Sequence, residues 1–199
     1  IDPSLPAHYQ DVTLRQLLSH TGGVRGYTGD EDWIAFNNRR CALPSDALGH
    51  FIHDPLIDAP GARHEYTTYG FVLLSHLLVE LTGATRFDAA MQTALGESYQ
   101  AHADSEDADK ATPFHDAGQG YEPMPLSAEC KFGGGGLIAS SRDMARMGSA
   151  LAEGALLSAD EIDQVFQPVQ TTGGEAVSYV YGMEAGFEPS LNLHYAAHS

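Results

Sequence analysis

The stretch DAPGARHEYTTYGFVLLSHLLVELTG, residues 58–83, constrains this chain more than any other. A Pro-Gly turn at 60–61 leads into a polar mouth of Tyr66, Thr67 and Thr68, and then into the most hydrophobic helix of the sequence. Phe71, Leu74, Leu77, Leu78 and Leu81 recur at helical spacing, and Gly83 supplies the stop. Threonine at such a mouth suits an N-cap. A tyrosine beside it invites a sharper reading, as a catalytic base facing a cleft.

The remaining local signals are mostly helical. Thr13 with Gln16 makes a capping box for a short helix carrying Leu14, Leu17 and Leu18, stopped by Gly22–Gly23. Residues 30–40 suit a short helix or lid segment, and 45–57 a further helix capped by Ser45, with Leu48, Phe51 and Ile52 on one face. FDAAMQTAL at 87–95 adds another. Residues 101–131 turn irregular and acidic, as a binding loop or mobile rim would. Gly133–Gly136 then lead to a helix opening at Ser140 or Ser141, with Met144, Met147 and Leu151 expected to face inward. Ser158 and Glu161 form a second capping box. Only the last stretch, 176–199, reads as strands, and a lone hairpin wants more sheet beside it. The expectation is an α+β fold, mostly a helical lobe over about 12–165, with its antiparallel sheet largely missing apart from a hairpin beginning at about 176–199. All of it counts as one partial domain spanning 1–199.

Charge narrows the partners. Ten Lys and Arg against 27 Asp and Glu give a formal charge of −17, a field that repels nucleic acid and anionic membrane surfaces. The apolar run at 71–81 is interrupted by Ser, His and Glu and falls short of a membrane span. No leader is visible, and a chain opening at Ile1 leaves a removed one admissible, so a periplasmic or secreted location stays open. Cys41 and Cys130 can form one bridge or remain two buried thiols, the second being favoured. Ten histidines include His50 and His53 beside Asp54, but none sits in a metal-binding motif, and no metal is expected. Gly133–Gly136 lack a P-loop frame, so their expected role is close backbone passage behind a cleft and positive φ. Arg15 and Arg142 lie in helix first turns, where each is expected to answer to a carboxylate.

Three blocks, in order, resemble the serine β-lactamase-like superfamily of class C β-lactamases, penicillin-binding carboxypeptidases and related esterases. They are VTLRQLLSHTGGVRGY at 12–27, the 58–83 block, and KFGGGGLIASSRDMARMGSAL at 131–151, followed by YGMEAG at 181–186. The threonine-rich triplet and the Cys-Lys before the glycines look most like the mitochondrial branch of that superfamily and its bacterial relatives. The resemblance implies that Tyr66 is the base that takes the nucleophile's proton and hands it to the leaving group. Thr68 stands where the family most often has a substrate-contacting asparagine, a change that favours ester or peptide substrates over β-lactams because a hydroxyl lacks the planar amide's paired donor and acceptor. YAAHS at 195–199 resembles a His-Ser-Gly motif ending before its glycine, giving His198 the lysine-like role and Ser199 the hydroxyl position. Gly133, Gly134 and Gly135 are structural residues near the cleft, and His20 a structural residue of its floor.

The family's nucleophile sits in a Ser-x-x-Lys motif at the start of a buried helix upstream of the first block, and S-x-x-K occurs nowhere in these 199 residues. The reading is therefore the central portion of a serine hydrolase that acts without cofactor, through an acyl-enzyme, on a small ester, peptide or β-lactam-like substrate. The alternative is a non-catalytic binding or scaffold member of the same fold, and a homo-oligomer is compatible with either.

Overall fold

The computed structural model describes residues 3–96, 99–103, 110–124, 127–165 and 167–198. Short-range polar chemistry sets where most helices begin. In α1 (Leu14–Leu18) the Thr13 hydroxyl accepts the Gln16 N–H and the Gln16 side chain accepts the Thr13 N–H at 2.9 Å, closing the expected capping box. Helix α2 (Asp30–Asn37) follows. Helix α3 (Pro44–Leu48) starts one residue before the expected cap at Ser45, because Pro44 supplies a preformed first position and the Asp46 carboxylate accepts the N–H groups of Ala42 and Leu43. Helix α4 (Thr68–Thr82) opens at Thr67, whose hydroxyl accepts the Tyr69 N–H, and closes at Gly83 with φ 64°. Helices α5 (Phe87–Leu95), α6 (Ser141–Ala152) and α7 (Ala159–Val165) complete the set, with Ser140 and Ser158 capping the last two.

Helix α4 is the axis of the core, packed by α1, α3, α5 and the tight 3-10 turn Glu129–Gly134. Its buried stripe is Tyr69, Val72, Leu73 and Val79, not the Phe71–Leu81 series that the spacing predicts. Tyr69 is fully buried, stacked on Phe51 with ring centroids 4.6 Å apart and set edge-on to Phe36. Burial of a ring that size contributes roughly 2–3 kcal/mol. Phe71, Leu74, Leu77 and Leu78 are only half-buried, and Leu81 is 83% exposed. The helix is thus apolar on two sides, and periodicity alone does not say which side meets the core.

The sheet content departs from the mostly helical expectation. Beside seven α-helices, the described residues form nine short strands in four antiparallel sheets. Strand β1 (His102–Ala103) pairs with β4 (Leu137–Ile138), β2 (Phe114–Asp116) with β3 (Tyr121–Pro123), and β5 (Val169–Gln170) with β6 (Ala176–Val177). Strands β7 (Tyr179–Val180), β8 (Met183–Glu188) and β9 (Leu193–Ala197) form a three-stranded sheet with β8 in the middle. Segments of two or three residues carry no readable alternation, and this hides β1–β3 inside the 101–131 segment that reads as loop.

Three further expectations are overturned. Cys41 and Cys130 form a disulfide across 89 residues, tying the connection between α2 and α3 to the turn that precedes the glycine run. Among the described residues Arg15 meets no carboxylate: its guanidinium donates to the Tyr181 hydroxyl at 3.0 Å. Met144 and Met147 are not packed away either. Met144 is 58% exposed, and both methionines line an apolar groove of about 740 Å³ with Phe71, Leu74, Leu78 and Met183.

Candidate active site

Residues 18–25 run as a backbone spine beneath the site. The Leu18 carbonyl accepts the Gly182 N–H, the Thr21 carbonyl the Gly61 N–H, the Gly23 carbonyl the Ile57 N–H, and the His20 carbonyl the Glu65 N–H. These bonds hold the 56–65 segment and the β7–β8 turn against the same strip of chain. At Gly23, φ is +74° and an added Cβ would lie 2.3 Å from the Asp58 carbonyl oxygen, so only glycine lets the two segments close.

The residues around Tyr66 are pinned. Thr67 donates its N–H to His20 Nδ1 at 3.2 Å and its hydroxyl to the Arg25 carbonyl at 2.6 Å. The threonine is therefore a helix cap and a tether at once. The Tyr66 ring packs on His20 with centroids 4.4 Å apart and projects outward, half-exposed. His20 itself is buried at φ 53°, and burial first, then His64 and His198, pushes its imidazole down to about 4.

Tyr66, Thr68, Gly133, Gly134, Gly135 and His198 line one cavity of about 300 Å³. Tyr66 and Thr68 come from the mouth of α4, the glycines from the turn after Cys130, and His198 from the residue following β9. Ser199 lies outside the described residues. The glycine wall touches α4 closely. A Cβ on Gly134 would stand 2.8 Å from the Thr68 carbonyl oxygen, and the Gly133 N–H donates to the Ser75 hydroxyl at 3.0 Å. Of the three, only Gly135 takes the left-handed region, at φ 118°. Phe132 enters the turn at φ 45°, an uncommon conformation for a side chain of that size.

Several lining residues, Phe71 and Leu137 among them, escape a reading of the sequence as parts of the site. Gly182 and Tyr179 complete the cavity from the β7–β8 turn. The Tyr179 hydroxyl lies 3.0 Å from the Gly182 carbonyl and 2.8 Å from His198 Nδ1, and its ring is edge-on to Tyr66. The alternation in VSYVYG was the available signal, but nothing in it distinguishes Tyr179 from Tyr181.

Behind the site lies a charged knot. Arg25 bonds Asp32 at 2.8 Å and Asp54 at 2.6 Å, and Asp32 also takes His50 at 2.6 Å, the Thr28 N–H at 2.9 Å and the Tyr69 hydroxyl at 3.3 Å. Burial pushes the Asp32 carboxyl up, but the Thr28 N–H, His50 and Arg25 outweigh it and bring it down to about 2. Because α3 ends at Leu48, His50 and His53 do not share a helix face; His50 is turned inward to Asp32, and His53 is exposed. Among the described residues no group of three or more His, Cys, Asp or Glu could hold a metal ion. No helix among them is long and apolar enough to cross a membrane.

Comparison with known proteins matches residues 3–190 to the family model described as Beta-lactamase. Penicillin-binding protein 4* of Bacillus subtilis is 24% identical over 205 residues, covering 92% of this chain and 45% of that protein. The structure of a penicillin binding protein from Bacillus halodurans superposes with TM-score 0.72 at 21% identity, covering 91% of this chain and 60% of the other. A D-stereospecific amidohydrolase from Streptomyces sp. gives 0.74 at 18% identity, with 97% and 64% covered. At those identities the structural likeness establishes the fold. The chain spans less than half the length of the curated relative it matches.

Proposed function

The chain belongs to the Beta-lactamase family, and from that premise we propose that the longer protein is a serine hydrolase acting through an acyl-enzyme. Its substrate is a small ester, a peptide amide or a β-lactam-like molecule, with ester and peptide favoured by the hydroxyl of Thr68 in place of an amide. The observation that carries this reading is the convergence of Tyr66, Thr68, Gly133–Gly135 and His198, from three separate segments, on one cavity. The resemblance to penicillin-binding proteins and to a D-stereospecific amidohydrolase supports the same reading.

In this mechanism a serine hydroxyl from the longer protein attacks the substrate carbonyl while the Tyr66 phenolate oxygen takes its proton. The carbonyl electrons move to oxygen, backbone N–H groups stabilise that oxyanion, and Tyr66 returns the proton to the departing oxygen or nitrogen. Water then repeats the sequence on the acyl-serine, releasing the acid. Thr68 and His198 contact substrate groups flanking the carbonyl. The chemistry asks for no metal or organic cofactor.

The half-buried face of α4 supports the same reading. Phe71, Leu74 and Leu78, with Met144 and Met147 from α6, line an apolar groove beside the cavity. A helix bearing Ser-x-x-Lys, seated there by the longer protein, covers this face and brings a serine and an ammonium toward Tyr66. The lysine is the charge that favours the phenolate. The Cys41–Cys130 bridge fits a periplasmic or secreted setting, where disulfides persist.

The test is intact mass of the full-length protein before and after a fluorophosphonate serine probe. One adduct, lost when the proposed Ser-x-x-Lys serine is replaced by alanine, is the expected result. No adduct from folded protein overturns the reading in favour of a non-catalytic binding or scaffold member.

A further inference from the structure

The three-stranded sheet carries Tyr179, Glu184 and Ala197 in one cross-strand row, so Tyr179 on β7 reaches over β8 to the residue after β9, His198. At that point its hydroxyl has two neighbours and one proton. The Gly182 carbonyl, 3.0 Å away, can only accept. His198 Nδ1, 2.8 Å away, can donate or accept according to tautomer.

The carbonyl is not free to turn aside. It belongs to the Gly182–Met183 peptide, which closes the two-residue β7–β8 turn where Met183 pairs with Val180; Tyr181 at φ 49° and Gly182 at φ 82° set that turn, and the Gly182 N–H anchors it to Leu18 at 3.0 Å. Burial first, then the neighbouring Tyr66, raises the Tyr179 phenol to about 12, so the hydroxyl keeps its proton across working pH. Donating that proton to His198 instead would leave the Gly182 carbonyl facing a phenol lone pair at 3.0 Å, with nothing between them. One arrangement satisfies both contacts: Tyr179 donates to Gly182 and accepts from His198 Nδ1–H.

We infer that Tyr179 is a positioning residue: its hydroxyl holds His198 as the Nδ1–H tautomer and leaves Nε2, with its lone pair, to a molecule bound in the cavity. Which nitrogen of a histidine carries the proton is set by the hydrogen bond the other atom makes. The consequence is a reversal of polarity. A neutral His198 presents an acceptor to its ligand, where a lysine at this position would present only donors. The group facing Nε2 is then a hydroxyl, an amide N–H or an ammonium rather than a carboxylate; this last step rests on the hydrolase reading, whereas the tautomer does not.

The experiment is long-range proton–nitrogen correlation spectroscopy of the full-length protein labelled at histidine nitrogen, at about pH 8.5, well above the ordinary histidine range. The His198 signals are assigned by their loss in His198→Gln. The expected spectrum shows a protonated, pyrrole-type Nδ1 and a bare, pyridine-type Nε2, and in Tyr179→Phe the majority tautomer switches to Nε2–H. A wild-type His198 that is mainly Nε2–H overturns the inference, and so does a tautomer unmoved by Tyr179→Phe. Should that variant fail to fold, Tyr179→Trp, whose indole N–H can only donate, replaces it with the same criterion, and the wild-type spectrum decides the tautomer in any case. Failure of the serine probe to react leaves this result standing, and a wrong tautomer leaves the serine chemistry standing, so the two readings fail separately.

Discussion

His20 Nδ1 accepts the Thr67 N–H at 3.2 Å, and the His20 carbonyl accepts the Glu65 N–H at 2.8 Å, so one buried histidine grips the chain on both sides of Tyr66. The grip requires a bare Nδ1; a proton there would set N–H against N–H. The pH consequence follows. The folded-state value near 4 lies below the unfolded histidine value near 6.5, so the unfolded chain binds the proton first. His20 thus contributes stability that is present above about pH 6.5 and is lost as pH falls toward 4, about 3 kcal/mol in all. Urea unfolding between pH 7 and pH 4 should show that slope, and His20→Asn, which keeps an acceptor and tolerates positive φ, should flatten it.

Asp32 loses stability in a lower window. Its folded value of about 2 lies below that of an ordinary carboxyl near 3.9, so its contribution persists above about pH 4 and goes as pH falls through 2. Asp32→Asn at neutral pH removes a charge from beside Arg25, whose side chain is 15% exposed, and among the described residues leaves the more exposed Asp54 to answer it. The expected loss is about 3 kcal/mol, read as a lower urea midpoint at neutral pH. An unchanged midpoint would mean that Asp54 alone balances the guanidinium.

The disulfide closes a long loop, and its removal should cost accordingly. Cys41 and Cys130 are 89 residues apart, which in the chain-entropy account corresponds to about 4.6 kcal/mol of destabilisation when both become serine. Cys130 lies inside the Glu129–Gly134 turn, so the same variant should lose amide-exchange protection first at Gly133 and Gly136, whose N–H groups are bonded to Ser75 and Phe132. Uniform loss of protection across the chain would place the bridge's effect on global stability alone.

What was legible in the sequence follows the range of the interaction. Caps that act over three residues, Thr13 with Gln16 and Ser158 with Glu161, stand in the structure as they read in the chain. The cap of α3 falls to Asp46 rather than Ser45 because Pro44 starts the helix one step earlier. Interactions without local pattern did not read at all: a cysteine pair 89 residues apart, and an arginine that meets a tyrosine 166 residues away. Helix α4 is the instructive failure. Both its sides are apolar, so spacing identified a helix but assigned the wrong side to the core. At the site, the family resemblance is what singles out Tyr66, Thr68, the glycines and His198, and these residues line one cavity. Tyr179 reaches that cavity through strand register, which two-residue strands do not announce.

Gly134 offers a sharp steric test. A Cβ there meets the Thr68 carbonyl at 2.8 Å and the Thr68 methyl at 3.0 Å, and the carbonyl is helix backbone that cannot swing away. Gly134→Ala should cost about 2 kcal/mol by displacing the glycine wall from α4. Gly49→Ala, with nothing within 4 Å and a helical φ of −58°, should be neutral or stabilise by under about 1 kcal/mol. Equal effects in thermal melts would show that chain flexibility, and not the close approach, is what glycine supplies at 134.

Tyr66→Phe separates chemistry from architecture. The ring is half-exposed and packs on His20 in a tilted arrangement, a contact that phenylalanine keeps, so the melting temperature should stay within a degree or two of wild type, as for most changes away from buried contacts. Only the hydroxyl is lost. If that oxygen moves the proton between serine and leaving group, acylation by an activated ester in the full-length protein should slow by about 10²–10⁴-fold. The loss should be smaller for esters with good leaving groups, since these need less help from a proton donor as they depart. A rate unchanged for good and poor leaving groups alike would remove Tyr66 from the chemistry and pass the base to the lysine of the nucleophile motif. A uniform loss across leaving groups would keep Tyr66 as the base for attack but not as the acid for departure.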